Sequence, residues 1–549
     1  MWKALCAAAM ALCWAAGAAA APRPNLLVIV ADDLGFTDLG AFGGEIRTPN
    51  LDALATQGVR MVNFHTPPIC APTRAQLMTG VDHHLTGLGN FAELRQPNQI
   101  GQPGYEGGLN NRVVTIAEVL RGAGYRTMMT GKWHLGFEPQ YDPSARGFDR
   151  AFALIGGGAN HFGADAATEG LQGALYRENG QRAALPADFY SSDFYTARLM
   201  QYLAEPRAAG QPFFAYLAFT APHYPLQARP EDMARYRGTY DAGWEALRRQ
   251  RMAAARQLGI VEKAATPHAL MPSEGRWAAL PETEKKTEAR RMEIFAAMID
   301  RLDQNVGRLT RFLRERGELS NTVIVFLSDN GPEGNQLHKS ENYAAFGEAL
   351  LKSADNSYDS MGSAASYLDT GPDWAQANSA PFRLFKAFPT EGGTRVAAFV
   401  NDPRHPGKGR IERSYASVLD LAPTLLEWAG VAAPPASFEG RAVVPFSGRS
   451  LAARLVDGAS PVHAAGDVEG WESFGRRALR QGRWKAIHIP KTPGPWAGSG
   501  EWELFDVESD PGETTDLARA HPDIVARLVA LWDEYARKNG VVLPEKPNF

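Results

Sequence analysis

The chain has 549 residues, of which 44% are hydrophobic, 21% charged and 10% aromatic, the ordinary texture of a globular protein. A net charge of −4 argues against nucleic acid or another polyanion as the partner that dominates its function. No repeat at solenoid period and no long low-complexity tract occurs beyond the N-terminal stretch, and the length allows up to ~4 domains.

The first twenty residues read as a secretory signal. Lys3 supplies positive charge, Ala4 to Ala19 is apolar, and Ala18-Ala19-Ala20 offers small residues for cleavage. The apolar stretch is short for a membrane span and has no stop-transfer flank, which predicts a periplasmic or secreted protein with no stable membrane anchor. Cys6 and Cys13 leave with it, so Cys70 becomes the single thiol in an oxidising compartment, unable to form an internal disulfide.

Four short apolar runs read as strands buried on both faces: Asn25 to Val30, Tyr125 to Met129, Phe213 to Phe219 and Val323 to Leu327. Helical patterns fall between them at Val114 to Gly122, Ala197 to Ala204 and Ile294 to Arg316. This alternation predicts an α/β fold, a large mostly parallel mixed sheet flanked by helices. Pro230 to Arg291 is polar and helical. Its Arg248-Arg249-Gln250-Arg251 cluster reads as a solvated face, since Glu245, Glu262, Glu284 and Glu288 are interspersed. Lys352 to Ala380 reads as one long loop. After Pro445 the texture changes to a hairpin at Ala478 to Ile487, a strand at Trp502 to Asp506 and a closing helix from Pro522 to Asn539. The expected organisation is therefore a signal at 1–20, a catalytic domain at 21–445 and a smaller C-terminal α+β domain at 446–549.

Each apolar strand runs into residues that carry chemistry. The first ends at Asp32-Asp33, the second at Gly131-Lys132-Trp133-His134, the third at Ala221-Pro222-His223-Tyr224-Pro225, and the last at Ser328-Asp329-Asn330-Gly331. Ligands of open α/β sheets bind at the carboxyl ends of the strands, which puts these clusters in one crevice. Asp32, Asp33, Asp329 and Asn330 offer only oxygen, a donor set that suits Ca²⁺ or Mg²⁺ rather than zinc or copper. Each pair taken singly would equally cap a helix or turn.

Pro72 suits the first turn of a helix, which sets Cys70 at or just before a helix N-terminus that favours anions, with Arg74 on the same face. A buried structural cysteine ahead of a proline-started helix is the plain alternative. Lys132 and His134 on a strand end would point the same way, and His223 sits in a rigid turn between prolines. Lys386 precedes the turn-like Glu391-Gly392-Gly393, and taken alone it reads as a surface residue. Asp82-His83-His84 has the residue types of a metal site, but its adjacency favours roles at a helix end or behind a site.

These motifs resemble a type I sulfatase of the arylsulfatase group, in the alkaline phosphatase superfamily, across nearly the whole mature chain. The resemblance is carried by Asn63-Phe64-His65, Cys70-Ala71-Pro72-Thr73-Arg74 with Leu77-Met78-Thr79-Gly80, Val81-Asp82-His83-His84, Gly131-Lys132-Trp133-His134, Ala221-Pro222-His223, Ser328-Asp329-Asn330-Gly331 and Thr390-Glu391-Gly392-Gly393, in family order. It implies hydrolysis of sulfate monoesters, aryl sulfates foremost, with Cys70 oxidised to formylglycine before folding by a formylglycine-generating enzyme. It further implies one Ca²⁺ (Mg²⁺ second) held by Asp32, Asp33, Asp329, Asn330 and the formylglycine at 70. Lys132 and Lys386 would neutralise sulfate oxygens, and Arg74 would steady the formylglycine hydrate and the metal. One geminal hydroxyl would attack sulfur in line, His223 protonating the leaving oxygen; His134 would then deprotonate the second hydroxyl to expel sulfate.

Thr73 stands where that family often has serine, and it keeps the hydroxyl. The nearest rival is a phosphonate monoester hydrolase or phosphodiesterase with the same nucleophile. A second is an inert anion-binding protein in which Cys70 stays a thiol. Loops such as Gly156 to Gly180 and Ser353 to Gly371, where specificity would lie, carry no readable code.

Overall fold

The computed structural model describes residues 23–163, 174–271, 276–339, 344–491, 496 and 498–547. The signal expected at 1–20 lies outside the described residues, as does 164–173 of the expected 156–180 loop. Ten strands form one sheet: β1 Asn25–Ala31, β2 Val59–Met61, β3 Arg126–Lys132, β4 Arg150–Leu154, β5 Tyr176–Glu178, β6 Gln181–Arg182, β7 Phe213–Ala218, β8 Thr322–Ser328, β9 Ala398–Asn401 and β10 Arg410–Glu412. Their order across the sheet is β10-β2-β9-β8-β1-β7-β3-β4-β5-β6. Five adjacent strands, β8-β1-β7-β3-β4, are mutually parallel. β9 runs antiparallel to β8 and β2, and β5 and β6 finish the other edge antiparallel.

The helices that matter below are α1 Cys70–Thr79, α2 Ile116–Gly122, α3 Ser191–Ala204, α4 Trp244–Gln257, α5 Glu282–Glu315, α6 Ala344–Ser353, α7 Pro372–Asn378 and α8 Pro522–Asn539. Helices cover both faces of the sheet, so β1, β7 and β8 are apolar and buried along their length. Alternate residues of β1 feed two separate cores, Leu27 and Ile29 into one, Leu26, Val28 and Val30 into the other. No helix among the described residues is long and apolar enough to cross a membrane.

Two expectations fail. The loop expected over Lys352–Ala380 contains α7, every residue of which is buried, and begins inside α6. The helix is too short to show a period, and Pro372 at its start with Gly371 before it looks like turn chemistry. Trp374 anchors α7 by donating its indole N–H to the Glu288 carbonyl at 3.0 Å. The arginine cluster of α4 is likewise no solvated face, since Arg248 and Arg251 are buried. Arg248 donates to the backbone carbonyls of Gln376, His268, Pro381 and Phe382, and burial without a countercharge lowers its guanidinium to about 10. Arg251 instead meets Glu45, Asp38 and the Asn378 side chain. The distant carboxylates that neutralise Arg251 have no trace in the local pattern of α4.

The C-terminal part is an antiparallel sheet of β11 Val468–Ser473, β12 Arg476–Gln481, β13 Trp484–His488 and β14 Trp502–Asp506, in that order. Leu528, Trp532 and Tyr535 of α8 pack on Leu479, Ala486 and Leu504 of that sheet. Its docking is partly ionic: Lys485 Nζ donates to Glu391 Oε1 at 2.7 Å and faces Glu513 Oε1 at 3.2 Å, with all three side chains fully buried. Glu391 also takes His65 Nε2 at 3.1 Å.

Removing Arg251 leaves the buried Asp38 and the half-buried Glu45 without their cation. Arg251→Ala is expected to cost about 3–5 kcal/mol of folding free energy, read by denaturant unfolding. A loss below about 1 kcal/mol would contradict the brace.

Candidate active site

The sequence-predicted residues come together at the carboxyl ends of the parallel strands. β1 delivers Asp32 and Asp33, β8 delivers Asp329 and Asn330, β3 ends on Lys132, and the turn after β7 carries His223. Cys70 is the first residue of α1, whose ten residues are all buried. Thr73 spends its hydroxyl on the Pro67 and Ile69 carbonyls, both at 3.1 Å, a contact that serine would also make.

Strain marks the same place. Asp33 (φ 69°), His134 (φ 57°), Leu384 (φ 58°) and Ala387 (φ 70°) adopt the left-handed backbone that costs a side-chain-bearing residue energy. His134 lies beyond β3 at such a turn, so strand alternation is not what aims it. Gly131 is required there, because a Cβ would stand 1.8 Å from the Ala218 carbonyl oxygen.

Charge alternates through the cluster. Arg74 donates two hydrogen bonds to Asp329 Oδ2, at 2.9 and 2.7 Å, and a third to the Lys132 carbonyl at 3.0 Å. Lys132 Nζ donates to Asp32 Oδ2 at 2.8 Å. Lys386 Nζ lies 2.8 Å from Asp33 Oδ1 and 3.2 Å from Glu333 Oε2. Asn330 donates to Asp33 Oδ1 at 2.6 Å, and His223 Nε2 lies 3.7 Å from Asp33 Oδ2. His134 Nδ1 is 3.4 Å from Cys70 Sγ.

Burial dominates the proton affinities. It raises Asp33 to about 6 against the opposing pull of Lys386, and raises Asp329, where Asp32 adds to it and Arg74 opposes. Lys386 would lose its proton to burial, but Asp33 and Glu333 hold it well above its usual value. His134 and His223 are pushed well below theirs by burial and by the neighbouring lysines, so both rings are neutral. The Cys70 thiol rises to about 11, burial outweighing Lys132 and Lys386. As encoded it is a protonated thiol at neutral pH and a poor nucleophile.

The donors fit a hard divalent cation. Ligand atoms of Asp32, Cys70 and Asp329 lie within 4.8 Å of one another. Asp32 Oδ1 and Asn330 Oδ1 are buried with no hydrogen-bond partner among the described residues. An orphaned pair of buried oxygens beside two further carboxylates is what a cation would satisfy.

Asp82 caps its short helix by accepting from the His84 N–H at 3.0 Å, pairs with His84 Nδ1 at 2.9 Å and accepts the Tyr535 hydroxyl at 2.7 Å. The cap is the helix-end role that adjacency favoured, while ligand atoms of Asp82, His83 and His84 also lie within 4.8 Å of one another, the spacing of a metal group. A cavity of about 1280 Å³ lies elsewhere, lined by Asp82, Tyr415, His463, Arg480 and Tyr535 among others, and by none of the charged residues gathered at the strand ends.

Sequence reasoning missed Glu333, which neighbours Lys386; Phe91, whose ring lies 4.9 Å from that of His134; and the Arg251 brace, which holds Asp38. Asp38 in turn accepts the Gly35 N–H at 2.6 Å, just beyond Asp32-Asp33. Glu333 follows Asp329-Asn330 closely enough to have been flagged; the other two carry no local signal. Gly156-Gly157-Gly158 was also unread. A Cβ on Gly157 would lie 2.7 Å from His134 Cε1, and one on Gly158 3.2 Å from His223 Cε1.

The sulfatase family model matches residues 24–431. An uncharacterized sulfatase of Schizosaccharomyces pombe is 43% identical over 538 residues, 95% of this chain and 94% of that one. An arylsulfatase of Klebsiella aerogenes is 42% identical over 461 residues, 82% of this chain and 97% of its own. The crystal structure of Ps i-CgsB superposes with a TM-score of 0.65 at 25% identity, covering 95% of each chain. The chain belongs to the sulfatase family, and it is a sulfuric ester hydrolase.

Gly157→Ala is expected to push the His134 ring aside and lower kcat for an aryl sulfate at least ~10-fold, with thermal stability little changed. Unaltered steady-state kinetics would show that the close approach is immaterial.

Proposed function

We propose that the protein hydrolyses sulfate monoesters, aryl sulfates foremost, using formylglycine made from Cys70 and one bound Ca²⁺, with Mg²⁺ the less suited ion. The observation that carries this reading is the position of Cys70: first in α1, 3.4 Å from His134, within ligand range of Asp32 and Asp329, yet inert as a thiol.

Asp32, Asp33, Asp329 and Asn330 would hold the ion together with residue 70. When bound, Ca²⁺ supplies a fixed double charge for the sulfate oxygens and the nucleophile. Formylglycine supplies, through its hydrate, the hydroxyl nucleophile that the buried thiol is not. Charge counting supports the pairing. Asp32, Asp33, Asp329 and Glu333 bring four negative charges against three positive from Arg74, Lys132 and Lys386. A divalent ion turns that deficit of one into a surplus of one, the complement of a singly charged ester.

Lys132 and Lys386 face the sulfate oxygens in this reading, and Arg74 steadies residue 70 and Asp329. His223 donates its Nδ1 proton to the Tyr224 carbonyl at 2.6 Å, which leaves Nε2 to carry a proton to the leaving oxygen. Burial, Lys386 and Lys132 keep that ring neutral in the absence of ester; the incoming anion favours its protonation. His134, neutral with Nδ1 3.4 Å from the residue-70 side chain, would be the base that accepts a proton there.

Cys70 is 2% exposed in the folded chain, so a formylglycine-generating enzyme must act before folding. That suits export to the periplasm or beyond through a cleaved signal at 1–20, with the catalytic part ending near 445. The charge balance also fits a singly charged phosphonate monoester, which keeps the phosphonate hydrolase as the second reading.

Comparing kcat/KM for an aryl sulfate and an aryl phosphonate monoester tests the assignment, with Cys70→Ala as control. A sulfate preference abolished by the substitution is expected. A phosphonate preference would move the substrate class, and full activity in Cys70→Ala would exclude the nucleophile. For His223→Ala, kcat should fall more for poor leaving groups than for activated phenols. Equal losses across leaving groups would remove the acid role.

A further inference from the structure

Cys70 packs in an apolar cluster with Ile69, Ala387 and Phe474, and the half-buried Phe91 and Leu94 lie against it. Phe91 stands 4.9 Å from the His134 ring and 6.0 Å, edge to face, from the Phe474 ring. The charged groups described above serve the anion, so this apolar wall is what the rest of an ester would meet beside residue 70. Phe474 belongs to the C-terminal sheet. It occupies the turn between β11 and β12 at φ 55°, a costly conformation for a phenylalanine, and is 3% exposed.

The last residues of the chain hold both parts of that wall. Side chains of the segment that follows Phe91 capture the tail backbone. Gln99 Nε2 donates to the Val542 carbonyl at 2.9 Å, Asn98 Nδ2 to the Leu543 carbonyl at 2.8 Å, and Gln96 Nε2 to the Lys546 carbonyl at 2.6 Å. Lys546 N returns a bond to Gln96 Oε1 at 3.0 Å, and Val542 N donates to the Tyr105 hydroxyl at 2.8 Å. The same Gln99 accepts from Asn90, the residue whose side chain takes the Phe91 N–H at 2.8 Å. On the other side, Pro544 and Pro547 lie against Gly475, next to Phe474: a Cβ there would be 3.5 and 3.6 Å from them. Glu472 completes the turn by accepting the Gly475 N–H at 2.7 Å.

We infer that residues 541–547 form a specificity strap, which sets Phe91, backed by Phe474, as the wall that receives the leaving group and so favours esters with a large apolar alcohol or phenol. This rests on the sulfate-ester reading. The strap residues are positioning residues; the contact with the leaving group is made by Phe91.

The test compares phenyl sulfate with 2-naphthyl sulfate, whose phenols are similar in acidity and differ in apolar area. The proteins are the wild type, a chain ending at Gly540, the Gln96→Ala/Asn98→Ala double variant and Phe91→Ala. The wild type should prefer the naphthyl ester in kcat/KM. In the strap variants that preference should fall about 5-fold through KM, while inhibition by inorganic sulfate stays within about 2-fold. Phe91→Ala should lose the preference as well. Should the shortened chain not fold, the double variant gives the same readout. No naphthyl preference in the wild type, or a preference retained in the folded strap variants, overturns the inference. So does sulfate inhibition that weakens in step with KM, since that would mean the whole site loosens. A wild type inert toward both esters would instead overturn the sulfate-ester reading beneath it.

Discussion

Three aspartates, a glutamate, two lysines and an arginine share one nearly dry crevice at the strand ends, and the rest of the molecule is arranged to tolerate that. Each charge has a partner, but Asp32 and Asn330 each keep one oxygen with no donor among the described residues. Such a cluster is costly to assemble unless a cation completes it. Its placement follows from topology. Five parallel strands end side by side, and the residues after them turn sharply inward, Asp33 and His134 through left-handed backbone.

That demand extends well beyond the site. Arg251, on a helix far along the chain, braces Asp38, which pins the turn after Asp32-Asp33. Lys485 reaches from the C-terminal sheet into buried Glu391, within the turn that follows Lys386. Phe474 brings the same sheet against Cys70. The smaller C-terminal domain is thus a structural part of the site.

The strands were legible because burial on both faces leaves unbroken apolar runs, and the chemical residues were legible because they follow those runs directly. Asp32, Lys132, His223 and Asp329 each stand within a few positions of a strand end. Lys386 had no such marker, and it entered through family resemblance. What stayed hidden is whatever depends on partners distant in sequence. Arg248 and Arg251 looked solvated because their acceptors are backbone carbonyls and carboxylates elsewhere in the chain. Helix α7 was hidden by glycine, aspartate and proline, which serve equally in loops. Phe91, Phe474 and the tail that holds them are unremarkable residues until the fold joins them.

A calorimetric titration of the metal-stripped protein with Ca²⁺ tests the central claim, that this crevice is built around a divalent ion. One ion per chain, with binding abolished in Asp329→Ala, is the predicted result. No binding, or an isotherm unchanged by that substitution, would contradict the account.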